Sequence, residues 1–180
     1  MHMKYVLGTC LFLIFAGPVA AGDAYFTTGP VFDGMGKVAK VEADMAIPEN
    51  TKFAVDFDAT KPGRIGEINQ SLDSAARFMN MHVAAGVKQE DIKIAVVVHG
   101  KATFDLTNDS VYGETYEGAS NANKSAVQAL TAQGVRIILC GQSAARHNVK
   151  KSDLLPGVEM ALSAMTAHAL LQQQGYTLNP

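Results

Sequence analysis

The chain has few cysteines, no tryptophan and almost no net charge, and each shortage excludes a class of protein. Two cysteines among 180 residues are too few for a disulfide-stapled small domain or a cysteine-rich zinc or iron–sulfur site. Fifteen Lys and Arg against 17 Asp and Glu give a net charge of −2, so the composition does not favour binding to nucleic acid or an anionic membrane. With 48% hydrophobic residues, the sequence is typical of one globular domain with a core.

The sequence also lacks the motifs of several common enzyme classes. It contains no HExxH, no GxSxG and no glycine-rich phosphate loop, so zinc proteolysis, esterase chemistry and nucleotide chemistry have no support. Gly29, Gly34 and Gly36 fail the GxGxxG spacing, and no helix is predicted after them. We therefore expect no cofactor and no bound metal.

The first 21 residues have the layout of a secretory signal peptide. Lys4 supplies the positive charge, an apolar run follows over residues 6–16, and residues 19–21 are small as at a cleavage site. An apolar run of about ten residues is shorter than the roughly 20 of a membrane-spanning helix, which disfavours a retained anchor. We expect cleavage after Ala21, a periplasmic location and no membrane attachment of the mature chain.

Cleavage of this segment would leave a single thiol. Cys10 lies within the apolar run and would leave with the signal, so Cys140 would be alone in an oxidising compartment. A lone thiol cannot form an intramolecular disulfide, and an exposed one is open to oxidation or intermolecular pairing. Cys140 is therefore either buried or used.

Downstream of the signal, a polar arm precedes alternating strand and helix patterns. Residues 22–50 are rich in Gly, Thr and Pro and predict an N-terminal arm with one edge strand near residues 37–41. Residues 51–180 form the main domain. Its predicted elements are strands at 53–57, 92–98 and 135–140 and helices at about 65–85, 109–116, 121–133, 142–147 and 156–174.

This alternation predicts the fold class. Residues 92–98 and 135–140 are largely apolar, as in central parallel strands that helices cover on both faces. We predict an α/β domain with a small, doubly wound, mostly parallel sheet and helices on both faces. The helix expected over 156–174 has only a narrow polar stripe, so we expect it to be buried on the sheet or at a subunit interface.

Two predicted strand ends carry chemically capable side chains. Functional groups in open α/β sheets collect beyond the carboxyl ends of the strands. His99 and Gly100 follow the second predicted strand, and Cys140 ends the third. Sequential strands are usually neighbours, and in that case His99 and Cys140 lie close together.

The residues after Cys140 predict an environment for a thiolate. A helix is predicted directly after Gly141, and the unpaired N–H groups at a helix start favour a thiolate over a thiol. Gly141 permits a tight turn, and the amides of Gln142 and Ser143 would cradle an anionic sulfur. The alternative is that Cys140 is merely packed, since cysteine is among the most buried residue types. For His99 the alternative is a hydrogen-bonded histidine at a strand end.

The other histidines are weaker candidates. His82 falls among mostly core positions of its helix, and His168 on the last helix has no partner at ligand spacing. Arg146 and His147 follow Cys140 in the chain, but a solvated helix end is the simpler account of both.

Several short segments form an ordered pattern along the chain. They are the helix segment 75–80, Val97-Val98-His99-Gly100, Asn121-Ala122-Asn123, Gly134-Val135, Cys140-Gly141-Gln142-Ser143, Asp153-Leu154-Leu155-Pro156 and Gln174-Gly175-Tyr176. In order and spacing, these segments resemble the exported branch of the DsrE/DsrF-like family over roughly residues 53–180.

The resemblance implies a small α/β domain that assembles into homo- or hetero-oligomers. In the best understood relatives a strand-end cysteine carries sulfur as a persulfide between partner proteins, and the matching residue here is Cys140. We therefore expect a periplasmic protein that handles sulfur through Cys140, exchanging it with a donor or acceptor protein. If active, it is a sulfur carrier or transferase rather than a hydrolase.

Two other functions remain open. The first is a non-catalytic oligomeric binding or scaffold module in which Cys140 is structural. The second is a redox enzyme, although a lone cysteine lacks the resolving partner of a CxxC site.

Overall fold

The computed structural model describes residues 25–179, so the predicted signal peptide and Cys10 lie outside the described residues. The described part begins with two short strands, β1 (Phe26–Thr27) and β2 (Val38–Ala39), which pair in an antiparallel ribbon. The ribbon includes part of the edge strand expected near residues 37–41.

One buried amide side chain fastens the arm to the main domain. Oδ1 of Asn80 accepts hydrogen bonds from the backbone N–H groups of Val31 and Phe32, both at 2.9 Å. Its Nδ2 donates to the carbonyl oxygens of Phe32, Met35 and Gly36 at 3.1–3.3 Å. The arm therefore docks on its own chain.

The main sheet contains five parallel strands. They are β3 (Phe53–Ala59), β4 (Ile92–Val98), β5 (Arg136–Cys140), β6 (Val158–Ala161) and β7 (Thr177–Asn179). Their order across the sheet is β6-β5-β4-β3-β7, so the three predicted strands lie together at its centre.

Five helices accompany these strands. They are α1 (Gln70–Ala84), α2 (Asp109–Thr115), α3 (Asn123–Ala132), α4 (Gly141–Arg146) and α5 (Ala164–Gln173). A 3₁₀ helix over Gly100–Leu106 links β4 to α2. None of the helices found between residues 25 and 179 is long and apolar enough to cross a membrane.

The helix predicted over residues 156–174 is wrong in its first half. Val158–Ala161 form the edge strand β6, and α5 begins only at Ala164. Ser163 caps α5, because its backbone is extended and its Oγ accepts a hydrogen bond from the N–H of Thr166 at 3.0 Å. Apolar periodicity alone does not separate a short strand from a buried helical turn, and here the strand formed.

Two smaller corrections concern α1 and the chain's end. The helix predicted from residue 65 begins at Gln70, because Asn69 caps it with an Oδ1 that accepts from the N–H of Ser71 at 2.8 Å. Ile65 lies in the preceding turn and is exposed. The strand β7, at the sheet edge beside β3, was not predicted.

Helices cover both faces of the sheet, which confirms the predicted fold class. On one face a large core joins the strands to α1 and α3 through Leu72, Met79, Val127, Leu130 and their neighbours. On the other face α5 covers the sheet with a smaller core, whose buried members are Ala95, Val97, Ile138, Cys140, Ala164, Ala167 and Leu171. Cys140 thus belongs to the α5 face.

Candidate functional site

Cys140 lies where two strands and two helices meet. It is the last residue of β5, it immediately precedes α4, and it pairs in register with Ala161 of β6. Its side chain belongs to the core under α5, and the residue is only 5% exposed. The thiol is therefore buried, and it lies at a strand end directly before a helix, as the sequence pattern predicted.

Four polar groups in and around the first turns of α4 and α5 favour the charged form of the Cys140 thiol. They are the hydroxyl of Ser143 and the backbone N–H groups of Gln142, Ser143 and Ala164. Burial, the largest single effect, raises the pKa of the thiol, but these four groups together outweigh it and leave the pKa of Cys140 below its ordinary value. The first turns of α4 and α5 therefore jointly stabilise a thiolate.

Gly141 allows β6 to come close to the turn after Cys140. A Cβ added to Gly141 would lie 2.7 Å from the carbonyl oxygen of Ala161 and 3.2 Å from that of Leu162. A side chain at this position would force β5 and β6 apart. Gly141 was predicted to permit a tight turn. In the structure it permits this close approach of β6.

Ser143 connects the strand ends of β4 and β5. Its Oγ accepts a hydrogen bond from the backbone N–H of Gly100 at 3.0 Å, and the same hydroxyl lowers the pKa of Cys140. The predicted site residues Gly100, Gln142 and Ser143 are thus brought together with Cys140.

His99 lies beside Cys140 in the sheet, but its ring bonds elsewhere. Val98 pairs with Leu139, so the next residues on the two strands, His99 and Cys140, are neighbours on the α5 face. The Nε2 atom of His99 is 2.8 Å from Oδ1 of Asp58 on β3, and the side chain is 30% exposed. No hydrogen bond joins the His99 ring to the thiol in the part of the chain described.

Three residues of this face were not predicted from the sequence to belong to the site: Asp56 and Asp58 of β3 and His168 of α5. Nδ1 of His168 is 2.5 Å from Oδ2 of Asp56, and its Nε2 is 3.0 Å from Oδ1 of Asp58. The available signal was the alternation of two carboxylates in an otherwise apolar strand, which places both on one face and demands buried partners. Their partner on α5 is 110 residues away in sequence and has no local signature.

The four side chains Asp56, His168, Asp58 and His99 form a continuous hydrogen-bonded chain, here called the Asp–His chain. It begins at Asp56, which is fully buried and whose Oδ1 has no hydrogen-bond partner, and it ends at the half-buried His99. Among residues 25–179, no group of three or more His, Cys, Asp or Glu has the arrangement of a metal site.

The remaining histidines have packing roles. His82 bonds the carbonyl oxygen of Phe78 through Nδ1 at 2.7 Å and stacks on the Phe78 ring. His147 follows α4 and packs on Phe104, with ring centroids 5.0 Å apart. Arg146 is exposed at the end of α4.

Comparison with known proteins gives the family of the domain. The family model described as "DsrE/DsrF-like family" matches residues 53–180, well over half of the chain. This chain belongs to the DsrE/DsrF-like family. Its fold is therefore related to that of sulfur-relay proteins, as the ordered segments predicted. No curated protein matches the chain.

Two solved structures are similar to this DsrE-like chain. A protein of unknown function, MTH1491 from Methanobacterium thermoautotrophicum, is 20% identical with a TM-score of 0.48, and the match covers 72% of this chain and 98% of that one. The ychN protein of E. coli is 16% identical with a TM-score of 0.42, and the match covers 71% and 99% of the two chains.

In this DsrE-like domain the family segment Asn121-Ala122-Asn123 has a structural role. Oδ1 of Asn123 accepts from the N–H of Asn69 at 2.6 Å, and Nδ2 of Asn121 donates to the carbonyl oxygens of Asp105 and Thr107. Oδ2 of Asp105 in turn accepts from Nδ2 of Asn69 at 2.7 Å. This buried polar network joins α1, α3 and the 3₁₀ helix at the carboxyl edge of the sheet.

An open cavity of about 800 Å³ lies at the same edge of the DsrE-like domain. Its lining includes Asp58, Lys61, Arg64 and Ser71, but neither Cys140 nor His99. The cavity lies beside the end of β3 and the start of α1. Of the Asp–His chain, Asp58 alone contributes to its lining.

Proposed function

We propose that this DsrE-like protein carries sulfane sulfur as a persulfide on Cys140. The observation that carries the proposal is the position of Cys140 at the end of β5, directly before α4, where nearby N–H groups and the Ser143 hydroxyl lower the pKa of the thiol. The thiolate is the nucleophile in sulfur transfer, and the same donors would stabilise the anionic outer sulfur of a bound persulfide.

The burial of Cys140 fits a carrier that works outside the cytoplasm. We propose, from the signal-like segment, that the chain acts in the periplasm, where exposed thiols are readily oxidised. At 5% exposure, Cys140 is shielded from solvent oxidants until a donor approaches. Sulfur uptake then requires the first turn of α5, which covers the thiol with Ala164, to yield to the donor.

Exposed apolar side chains next to Cys140 support a protein partner. Leu162 and Met165, on either side of the Ser163–Ala164 cover, are 72% and 79% exposed, and Leu170 further along α5 is also exposed. Apolar surface of this kind commonly marks contact sites. We propose that this part of the surface meets a second copy of the chain or a sulfur donor or acceptor protein.

The test of the carrier function is persulfide formation on the mature chain. We expect incubation with inorganic polysulfide to add one sulfur atom to the intact mass, and peptide mapping to locate it on Cys140. Cys140→Ser should fold normally and gain nothing. A wild-type protein that gains no sulfur, with a thiol pKa above the ordinary value, would contradict the proposal.

The second candidate function is a binding or scaffold module with Cys140 merely packed, and the exposed apolar residues of α5 are the observation that favours it. Under that function Cys140→Ser keeps self-association, partner capture and the phenotype of the host. Under the carrier function the same variant keeps association but loses the phenotype.

A further inference from the structure

The Asp–His chain is a group of titratable side chains that the carrier function of Cys140 alone does not use. We propose that His99 is the proton-transfer group for sulfur exchange at Cys140, oriented by Asp58, which His168 and Asp56 hold in place. This inference rests on the proposed function, and it adds how the site handles the proton of each transfer.

Burial decreases from Asp56 towards His99 along the Asp–His chain. Asp56 is fully buried, His168 is mostly buried, and Asp58 and His99 are about one third exposed. A buried carboxylate is costly unless it is paired, and one partner would suffice for a purely structural role. Here the pairing continues through Asp58 to a histidine at the carboxyl edge of the sheet, where functional groups of α/β folds collect.

A hydrogen bond to Asp58 orients the ring of His99. Its Nε2 is fixed by Oδ1 of Asp58 at 2.8 Å, and within residues 25–179 its Nδ1 makes no hydrogen bond. A carboxylate placed in this way sets the ring orientation and stabilises the imidazolium that forms during proton transfer. The other ring nitrogen is then left for a reactant.

His99 and Cys140 lie side by side at the ends of adjacent strands. The two residues follow the register pair Val98 and Leu139 on adjacent strands, which lie about 4.8 Å apart in a sheet. Gly100, directly after His99, donates to the hydroxyl of Ser143 on α4, the helix that begins directly after Cys140. This register places His99 beside the thiol at the carboxyl ends of the two strands.

The proposed step balances as follows. The Cys140 thiolate attacks the terminal sulfur of an alkyl persulfide R–S–SH, the new S–S bond forms as the donor's S–S bond breaks, and the electron pair of the broken bond leaves on R–S⁻. The His99 imidazolium gives its proton to R–S⁻, so that R–SH departs, and solvent reprotonates the ring.

Delivery to an acceptor uses the same groups in reverse. Neutral His99 takes the proton of the acceptor thiol R–SH, and the resulting thiolate attacks the outer sulfur of the Cys140 persulfide. The bond between the two sulfurs of that persulfide breaks, and its electron pair returns to Cys140 as the thiolate.

The experiment compares two sulfur donors whose leaving groups differ in basicity. Cysteine persulfide expels a basic alkyl thiolate that benefits from protonation, whereas inorganic polysulfide expels a weakly basic anion that does not. We expect His99→Gln to slow loading of Cys140 from cysteine persulfide about 100-fold and to leave loading from polysulfide nearly unchanged.

The pH profile gives a second readout. The titratable groups on this face are Asp56 and Asp58 from β3, His99 from β4, Cys140 from β5 and His168 from α5. With cysteine persulfide, the pH profile of the wild-type loading rate should differ from its profile with polysulfide. His99→Gln should remove that difference between the two donors.

The controls separate proton transfer from folding. Asp58→Asn and His168→Asn should show the same dependence on the donor as His99→Gln, because they release the ring from its orientation. His147→Gln removes a histidine that packs on Phe104 outside the Asp–His chain, and it should leave both rates unchanged. Thermal melting and the thiol pKa are measured for every variant.

Each remaining outcome decides against one of the two proposals. Equal rates and pH profiles for wild type and His99→Gln would overturn the role of His99 and leave the carrier function standing. Equal slowing with both donors would also overturn it, because the histidine would then act on the thiol and not on the leaving group. A wild-type protein that loads from neither donor would overturn the carrier function itself.

Discussion

Opposing effects set the environment of the Cys140 thiol. Burial under α5 disfavours the thiolate, and the donors from α4, Ala164 and Ser143 favour it; the balance lies on the side of the thiolate. The loss of one of these groups should therefore measurably change the reactivity of the sulfur.

Ser143 gives the residue-scale prediction. Ser143→Ala removes the hydroxyl that lowers the pKa of Cys140 but keeps the backbone N–H of residue 143 in place, so we expect the pKa of Cys140 to rise. The fraction of thiolate at neutral pH should fall, and alkylation by iodoacetamide should slow accordingly. The pKa is measured from the ultraviolet absorbance of the thiolate.

The matched control is Ser74→Ala on α1, a serine remote from Cys140 in the fold. It should leave the alkylation rate unchanged. If Ser143→Ala reacts as fast as wild type across the whole pH range, the hydroxyl does not stabilise the thiolate.

At the scale of elements, the sequence predicted the centre of the sheet and failed at its edges. β3, β4 and β5 are long or continuously apolar, and this pattern identified them. β6 and β7 have four and three residues, and their place in the sheet depends on pairing with β5 and β3. An apolar segment such as 158–161 fits a helix equally well until its neighbours are known.

The candidate site divides in the same way. Cys140, His99 and the residues after Gly141 follow from the rule that function collects at strand ends. The contacts of His168 with Asp56 and Asp58 could not be predicted from the sequence. His168 lies over β3 because residues 158–161 form β6 and α5 begins only at Ala164. The amide of Ala164 reaches the thiol for the same reason.

The polar network at the carboxyl edge of the sheet gives the element-scale prediction. Burial raises the pKa of Asp105, and the hydrogen bonds from Asn69 and Gly63 only partly offset this effect. Below about pH 3.8 the carboxyl is protonated in both the folded and the unfolded chain. As the pH rises, the unfolded chain ionises first, so the Asp105 contribution to the free energy of unfolding falls until the folded carboxyl ionises as well.

Asp105→Asn should remove this fall with pH. The Oδ1 of an asparagine can still accept from Asn69 and Gly63, since it has two lone pairs. We expect urea unfolding to show the variant gaining stability relative to wild type as the pH rises from about 3.8 towards neutrality. Tyr112→Phe, which alters a buried neighbour but keeps the carboxyl, should retain the wild-type slope; a slope unchanged in Asp105→Asn would contradict the assignment.

At the scale of the whole molecule, the two faces of the sheet are covered unequally. α1 and α3, with the arm docked on Asn80, build the larger core on one face, whereas α5 covers the other face. The small core under α5 contains the thiol, and the exposed apolar side chains Leu162 and Met165 lie at its margin. Any protein that docks on this margin also controls access to Cys140.

The final prediction concerns this margin. Leu162→Lys combined with Met165→Lys places two charges on the proposed contact surface without touching the buried side of α5, so we expect folding and polysulfide loading to persist. Sedimentation should show loss of self-association, or transfer to a protein acceptor should slow while transfer to a small thiol does not. Met81→Lys, which charges an exposed apolar position on α1, is the control and should change neither. The substitutions leave the groups that lower the pKa of Cys140 intact, so their effect separates recognition of the partner from the chemistry of the thiol. A double variant that associates and transfers sulfur as the wild type does would show that this surface is not the contact site.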